Sequence, residues 1–260
     1  MTSDRPSNRP WANCSPRDHI DVSIEWIILD FYGTLARATS WARAEDLLAE
    51  RGYSLSDEAA AHFRGESLDG AEHHEHSRSR DHYVAWQRER ALAMLASSDV
   101  HPGEYEQILE LLRRGNSERV IEAYDEVPDT LERMRSTGFG IAVCSNWDWD
   151  LDVDVESAGL TPLLDVIVSS AWVGARKPHP RIYRATLEKT GVSPDRALFA
   201  GDTWGPDVEG PLAAGIRPVY LRRPDHWHDG TYPHETPTAL RAEVPVITGL
   251  DGILDLVQQT

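Results

Sequence analysis

The sequence predicts an α/β fold: a Rossmann-like parallel sheet core with an all-helical segment inserted after its first strand. Two observations carry this. The stretch Ile20–Leu29, IDVSIEWIIL, ends in a continuous apolar run and passes into Asp30-Phe31-Tyr32-Gly33-Thr34-Leu35, which reads as a buried strand entering a tight turn. From Val127 onward, segments of helical and strand period alternate, the pattern of parallel strands joined by crossover helices.

Residues 1–19, rich in Pro and polar residues, read as a flexible extension. Between residues 36 and 126 the apolar residues fall at helical spacing, through Trp41, Leu47 and Leu48, then Tyr83, Trp86, Leu92 and Leu95, then Ile108, Leu111 and Leu112. This block interrupts the α/β pattern, so it predicts a helical cap over a core made of residues 20–35 and 127–260. The core should continue with a helix through Leu131–Arg135, strands at Gly140–Cys144 and Val166–Ser169, a helix over Arg181–Lys189, and strands at Ala197–Ala200 and Arg217–Leu221. Arg222–Thr238, with its Pro, His, Asp and Gly, reads as a loop before a short strand at Val244–Thr248 and a last helix over Leu250–Val257.

Composition narrows the function. In 260 residues there are 26 Lys+Arg against 43 Asp+Glu, a formal charge of −17, and protonating all 11 His would still leave a deficit of six. A broad phosphate-neutralising face is therefore excluded, and with it nucleic acid as a partner. No run approaches the roughly 20 apolar residues that span a bilayer, and the N-terminus has no apolar signal core, so no membrane partner is expected. Cys14 and Cys144, the only cysteines, are too few for a disulfide framework and fit a reducing cytoplasm.

The polar residues of interest fall at the carboxyl ends of predicted strands, where open parallel sheets bind ligands. Asp30 follows the first strand, and the turn after it can hold an anion with backbone N–H groups. Ser145 ends a second strand. Lys177, one of only two lysines, precedes Pro178, while Asp202 and Asp207 flank the turn after a third strand. Taken singly, each reads as a cap, turn or surface residue; their joint order points to one site.

Four ordered motifs, DFYGTL at Asp30–Leu35, SNWD at Ser145–Asp148, KPHPRIY at Lys177–Tyr183 and GDTWGPDVEGPLAAG at Gly201–Gly215, resemble the haloacid dehalogenase superfamily of aspartate-nucleophile hydrolases. The position of the cap resembles the subgroup with small helical caps. The resemblance implies that Asp30 is the nucleophile, that Ser145 and Lys177 bind the transferring group, and that Asp30, Tyr32, Asp202 and Asp207 surround Mg²⁺. Thr34, Asn146 and the cap residue Arg64, which sits where a cap arginine could meet an anionic substrate, are candidate substrate contacts.

Tyr32 departs from the phosphatase pattern, which places a second aspartate there to protonate the leaving group. A phenol, with its usual pKa near 10, is badly matched to that task, and tyrosine here resembles the true dehalogenases. The acidic fourth motif leans the other way. Carboxylates about 4 Å apart repel by roughly 4 kcal/mol at an effective dielectric near 20, so such a cluster needs a cation, and a hard divalent ion suits it. The reading is thus a Mg²⁺-dependent phosphatase acting on a small phosphorylated metabolite through an aspartyl-phosphate. The alternatives are a 2-haloacid dehalogenase using Asp30 against carbon, or a catalytically weak anion-binding or regulatory protein. Phosphonate-cleaving relatives use a cap lysine, and residues 36–126 contain none.

Other features have plainer readings. His73, His74, His76 and His82 read as a solvated polar run, and Asp148 and Asp150 as favourable charges at a helix N-terminus. Trp147, Trp149 and Trp204 fit either a pocket wall or core. Arg222, Arg223 and His226 read as surface loop.

Overall fold

The computed structural model describes residues 24–56, 58–60, 68–224 and 244–258. The extension expected over 1–19, Arg64 and His226 lie outside the described residues. In chain order the strands are β1 (Trp26–Leu29), β2 (Ala36–Ser40), β3 (Val120–Ala123), β4 (Gly140–Ser145), β5 (Val166–Ser169), β6 (Ala197–Gly201), β7 (Arg217–Leu221) and β8 (Val246–Ile247). The helices are α1 (Ala44–Ala49), α2 (Arg80–Ala96), α3 (Tyr105–Ser117), α4 (Val127–Ser136), α5 (Leu151–Ser157), α6 (Ser170–Val173), α7 (Pro180–Thr190), α8 (Gly210–Ala213) and α9 (Gly252–Gln258).

Six strands form one parallel sheet in the order β5-β4-β1-β6-β7-β8. Alternation along β1 divides the core. Ile27 and Leu29 pack in one cluster with Leu131 and Met134 of α4, Val155 of α5 and Ile253 of α9, while Ile28 joins Ile182 and Tyr183 of α7 on the opposite face. Helices therefore cover both faces, as continuously apolar parallel strands require. Because β1 has β4 on one side and β6 on the other, the carboxyl ends of all three meet where the winding changes direction.

The segment expected to be wholly helical, 36–126, begins and ends in strands. β2 and β3 pair antiparallel, Ala36 with Ala123 and Ala38 with Ile121. Their period of two is hidden in the sequence because they are five and four residues long and rich in Ala, Arg and Glu, residues equally at home in a helix. Between them the helices bury a cluster of their own, including Leu48, Met94, Leu95, Ile108 and Leu112.

Two sets of contacts join this helical layer to the sheet. Backbone bonds run from Gly70 N to the Lys177 carbonyl (3.2 Å), from Arg176 N to the Ala71 carbonyl (3.1 Å) and from His73 N to the Gly174 carbonyl (2.6 Å). The acids after β4 supply the rest. Asp150 pairs with Arg80 at 2.8 Å, Asp154 with Arg119 at 2.5 Å, and Asp148 accepts from Gln87 at 3.1 Å and from the Tyr83 hydroxyl at 3.3 Å. Asp148 and Asp150 were expected to serve the N-terminus of α5, yet Asp150, its N-cap, makes no side-chain cap bond. Asp150 thus stands at the helix N-terminus as expected, and its carboxylate is in addition paired with a guanidinium across the layer boundary.

His73 also departs from the solvated reading. It is 7% exposed, and its ring stacks on Trp86 with centroids 4.9 Å apart. Burial, reinforced by the charges of Arg176, His76 and Arg90, lowers its pKa to about 4. The unfolded chain takes up this proton near pH 6.5 and the folded chain only near 4, so His73 costs the fold nothing at neutral pH and progressively more as pH falls between those values. Denaturant melts of wild type and His73→Phe should therefore diverge, the wild type losing about 2 kcal/mol relative to the variant between pH 7 and pH 5; a constant difference would count against a neutral buried ring.

Candidate active site

The turn after β1 sets Asp30. Gly33, with φ +82°, takes a left-handed conformation open to glycine, and the N–H groups of Thr34, Leu35 and Ala36 all converge on the Phe31 carbonyl. Asp30 is thereby held at the end of the strand, its own N–H bonded to the Ala200 carbonyl at 2.9 Å. Asp30 is 7% exposed, its carboxylate accepts from Lys177 Nζ at 2.7 Å, and the Ser145 hydroxyl acts with Lys177 to favour its ionised form.

Lys177 is buried and bonds a second carboxylate, Asp207, at 2.6 Å. The KPHPRIY segment positions it from several directions. Asn146 Oδ1 accepts from the Lys177 N–H at 2.6 Å, and Asn146 Nδ2 donates to the Lys177 carbonyl at 2.9 Å. Below the ammonium lies the Phe199 ring, 5.1 Å from Nζ, and the Tyr183 hydroxyl of the same segment donates to the Pro206 carbonyl at 2.5 Å, next to Asp207.

The fourth motif delivers the acids. Asp207 stands in the π-turn Gly205–Glu209, where Oδ2 accepts from Thr203 N at 2.9 Å while Oδ1 takes Lys177. A Cβ at Gly201 would overlap the Asp207 carboxylate, so the glycine is what admits that side chain. Oxygens of Asp30, Asp202 and Asp207 lie within 4.8 Å of one another. Burial pushes Asp30 up, opposed by Lys177 and reinforced by Asp202, and it pushes Asp207 up, opposed by Lys177 and reinforced by Asp30 and Asp202. Burial acts to lower Lys177 as well, but Asp207 and Asp30 more than compensate and it ends raised. Ammonium and carboxylates rise together because burial raises the acids while the two acids against the ammonium raise it.

Three carboxylates against one ammonium leave two negative charges in a low-dielectric pocket. An all-oxygen donor set with that surplus fits a hard divalent cation. These acids could hold a metal ion.

Arg64 lies outside the described residues. Asn146 uses both ends of its amide on the Lys177 backbone, with a further bond to Asp69 at 3.1 Å, so it positions the lysine. Thr34 is buried, and its Oγ1 has no hydrogen-bond partner among the described residues. Tyr32 stacks on Trp147, centroids 5.7 Å apart, and meets Trp41 edge-on at 5.9 Å. Of the three tryptophans, Trp147 and Trp149 line the cavity beside Asp30, whereas Trp204 packs in the core with Val208 and Tyr220.

Sequence reasoning missed Arg223, expected on the surface. Its side chain is 7% exposed, pairs with Glu126 at 2.5 Å and donates to the Thr34 carbonyl at 2.7 Å, with the guanidinium 3.8 Å from the Tyr124 ring centre. It ties the turn after β1 to the point where the helical segment returns. No local pattern signals this, since both partners are remote in sequence. Asp69 is a second omission; it bridges Asn146 and Arg176, each at 3.1 Å.

Comparison with known proteins agrees with this geometry. Phosphoglycolate phosphatase from Aquifex aeolicus is 33% identical over 129 residues, 49% of this chain and 60% of that protein. (S)-2-haloacid dehalogenase 4A from Burkholderia cepacia is 32% identical over 119 residues, 43% of this chain and 51% of that protein. The matches thus span little more than half the length of these curated relatives. The crystal structure of a HAD phosphatase from Thermococcus onnurineus superposes with a TM-score of 0.56 at 22% identity, over 90% of this chain and 98% of that one, a likeness of fold. A family model described as haloacid dehalogenase-like hydrolase matches residues 24–215, and with the four motifs converging on Asp30, the chain belongs to the haloacid dehalogenase-like hydrolase family.

Proposed function

We propose that this hydrolase is a Mg²⁺-dependent phosphatase that transfers a phosphoryl group to Asp30 and then to water. One observation carries the reading: the oxygens of Asp202 and Asp207 stand within 4.8 Å of the Asp30 carboxylate. A metal-free attack on a carbon–halogen bond gains nothing from two more carboxylates beside its nucleophile. Phosphoryl transfer uses the cation they would hold.

In this mechanism Asp30, Asp202 and Asp207 hold the ion, and Tyr32 stays in the set only through its main-chain oxygen, because its ring is engaged with Trp147 and Trp41. When bound, Mg²⁺ supplies charge neutralisation for the phosphoryl oxygens. Lys177, already against Asp30 at 2.7 Å, stabilises charge on the same oxygens and opposes the effect of burial on the Asp30 carboxyl. Ser145 orients the carboxylate and offers its hydroxyl to the phosphoryl group. Residues 36–126 are the proposed cap, and by closing over the sheet they exclude water and choose the substrate, a small phosphorylated metabolite. A cytoplasmic setting goes with this reading, supported by the free, buried thiol of Cys144.

Dehalogenation remains as a second reading on one specific observation, the tyrosine at position 32. Halide leaves without a proton, so that chemistry needs no acid there.

Phosphate release from a panel of phosphorylated metabolites should vanish with EDTA, return with Mg²⁺, and fall by roughly three orders of magnitude or more in Asp30→Asn. Halide release from 2-haloacids that is indifferent to EDTA would replace this reading with the second. In Gly201→Ala the displaced Asp207 should raise the Mg²⁺ concentration for half-maximal rate by about tenfold or more, and an unchanged Mg²⁺ response would remove Asp207 from the metal set. Tyr32→Asp should raise turnover of alkyl phosphates, whose leaving groups need a proton, by up to about a hundredfold; unchanged or lower turnover would count against the missing acid as the limit.

A further inference from the structure

The cavity above Asp30 has a volume of about 1150 Å³. That is the size of a site for a drug-sized ligand, far beyond what a two- or three-carbon phosphate fills. Its wall next to the nucleophile is aromatic. Tyr32, two residues after Asp30, stacks on Trp147, two residues after Ser145, at an interplanar angle of 25°. Trp41 completes the cluster, 5.9 Å from each of the other two rings, and is 37% exposed.

This wall is held from behind. Trp147 Nε1 donates to Asp154 Oδ2 at 2.7 Å, and the Arg119 guanidinium, paired with the same carboxylate at 2.5 Å, lies 5.4 Å from the Trp147 ring centre and 5.7 Å from that of Trp41. Pre-set rings bind a planar ligand without an ordering cost at the moment of binding. Several of the cationic groups around the cavity are paired with acids: Arg80 with Asp150, Arg88 with Glu106, Arg113 with Glu110 and Arg176 with Asp69. Beyond the phosphoryl site the cavity therefore offers aromatic surface, with carboxylates beside several of its cations.

Resting on the phosphatase reading, we propose that the substrate is an aryl phosphate, a phosphate monoester of a phenol-like ring seated against Tyr32, Trp41 and Trp147. The leaving group agrees with the wall. At position 32 there is no carboxylic acid to protonate a departing oxygen, and a phenolate, with an acid pKa near 10, leaves without one where an alkoxide does not. An Asp30 oxygen forms a bond to phosphorus as the phosphorus–aryl oxygen bond breaks, and the aryl oxygen leaves with the electron pair. Water then attacks phosphorus, the bond to Asp30 breaks, and the water's proton goes to the departed phenolate, giving a phenol and inorganic phosphate.

The test compares kcat/KM, with Mg²⁺ present, for phenyl phosphate, benzyl phosphate and acetyl phosphate. The first has both a ring and a good leaving group, the second a ring with a poor one, the third a good leaving group with no ring. Phenyl phosphate should exceed benzyl phosphate by about a hundredfold and acetyl phosphate by about tenfold, and Trp41→Leu should reduce the phenyl-to-acetyl ratio by about tenfold. Since that ratio is internal to each protein sample, partial unfolding of the variant does not move it. Acetyl phosphate turned over as well as phenyl phosphate, or a ratio unmoved in Trp41→Leu, overturns the aryl assignment and leaves the phosphatase intact. Phosphate release from none of the three, nor from the wider metabolite panel, overturns both.

Discussion

One buried ammonium organises this molecule. Lys177 touches Asp30 and Asp207 at 2.7 and 2.6 Å with almost no contact to water, and taking such ions out of water costs several kcal/mol each before their attraction is counted. The site offsets part of that cost by direct pairing, since the one ammonium meets two of the three carboxylates. The unmatched remainder is what makes it a site. A fully neutral cluster would be structural, whereas the surplus negative charge of this one suits it to a cation.

The rest of the architecture serves the placement of that lysine and its acids. The sheet brings β1, β4 and β6 side by side so that Asp30, Ser145 and the turn carrying Asp202 and Asp207 share one edge. Asn146 fixes the Lys177 backbone from below, and Gly70 of the helical segment bonds its carbonyl from above. The helical layer and the lysine are therefore joined through the same residue. The acids after β4 then fasten that layer to the sheet, and Asp154 also sets the tryptophan beside the nucleophile.

The catalytic edge was legible in the sequence because topology leaves it little freedom. Asp30, Ser145 and Asp202 each follow an apolar strand, and parallel strands with right-handed crossovers bring such ends together. The six-stranded sheet and its helices follow the alternation of periods for the same reason. What escaped was every contact whose partner is distant and whose local reading was already satisfied. Asp148 and Asp150 suit a helix N-terminus, so nothing in one dimension says that they reach across to α2. Asn146 has the polarity of a substrate contact but spends it on a backbone. His73 lies in a polar run, and only Trp86, one helix away, makes it a buried ring. Strands β2 and β3 are too short for their alternation to stand out.

The central claim is that three acids remote in sequence share a single divalent ion beside the attacking oxygen of Asp30. Anomalous diffraction from crystals soaked in Mn²⁺ tests it most directly. The account predicts one strong peak at coordination distance from Asp30, Asp202 and Asp207, with Lys177 still against the nucleophile. A peak elsewhere, or density showing Asp202 and Asp207 turned away with the pocket empty of metal, would contradict it.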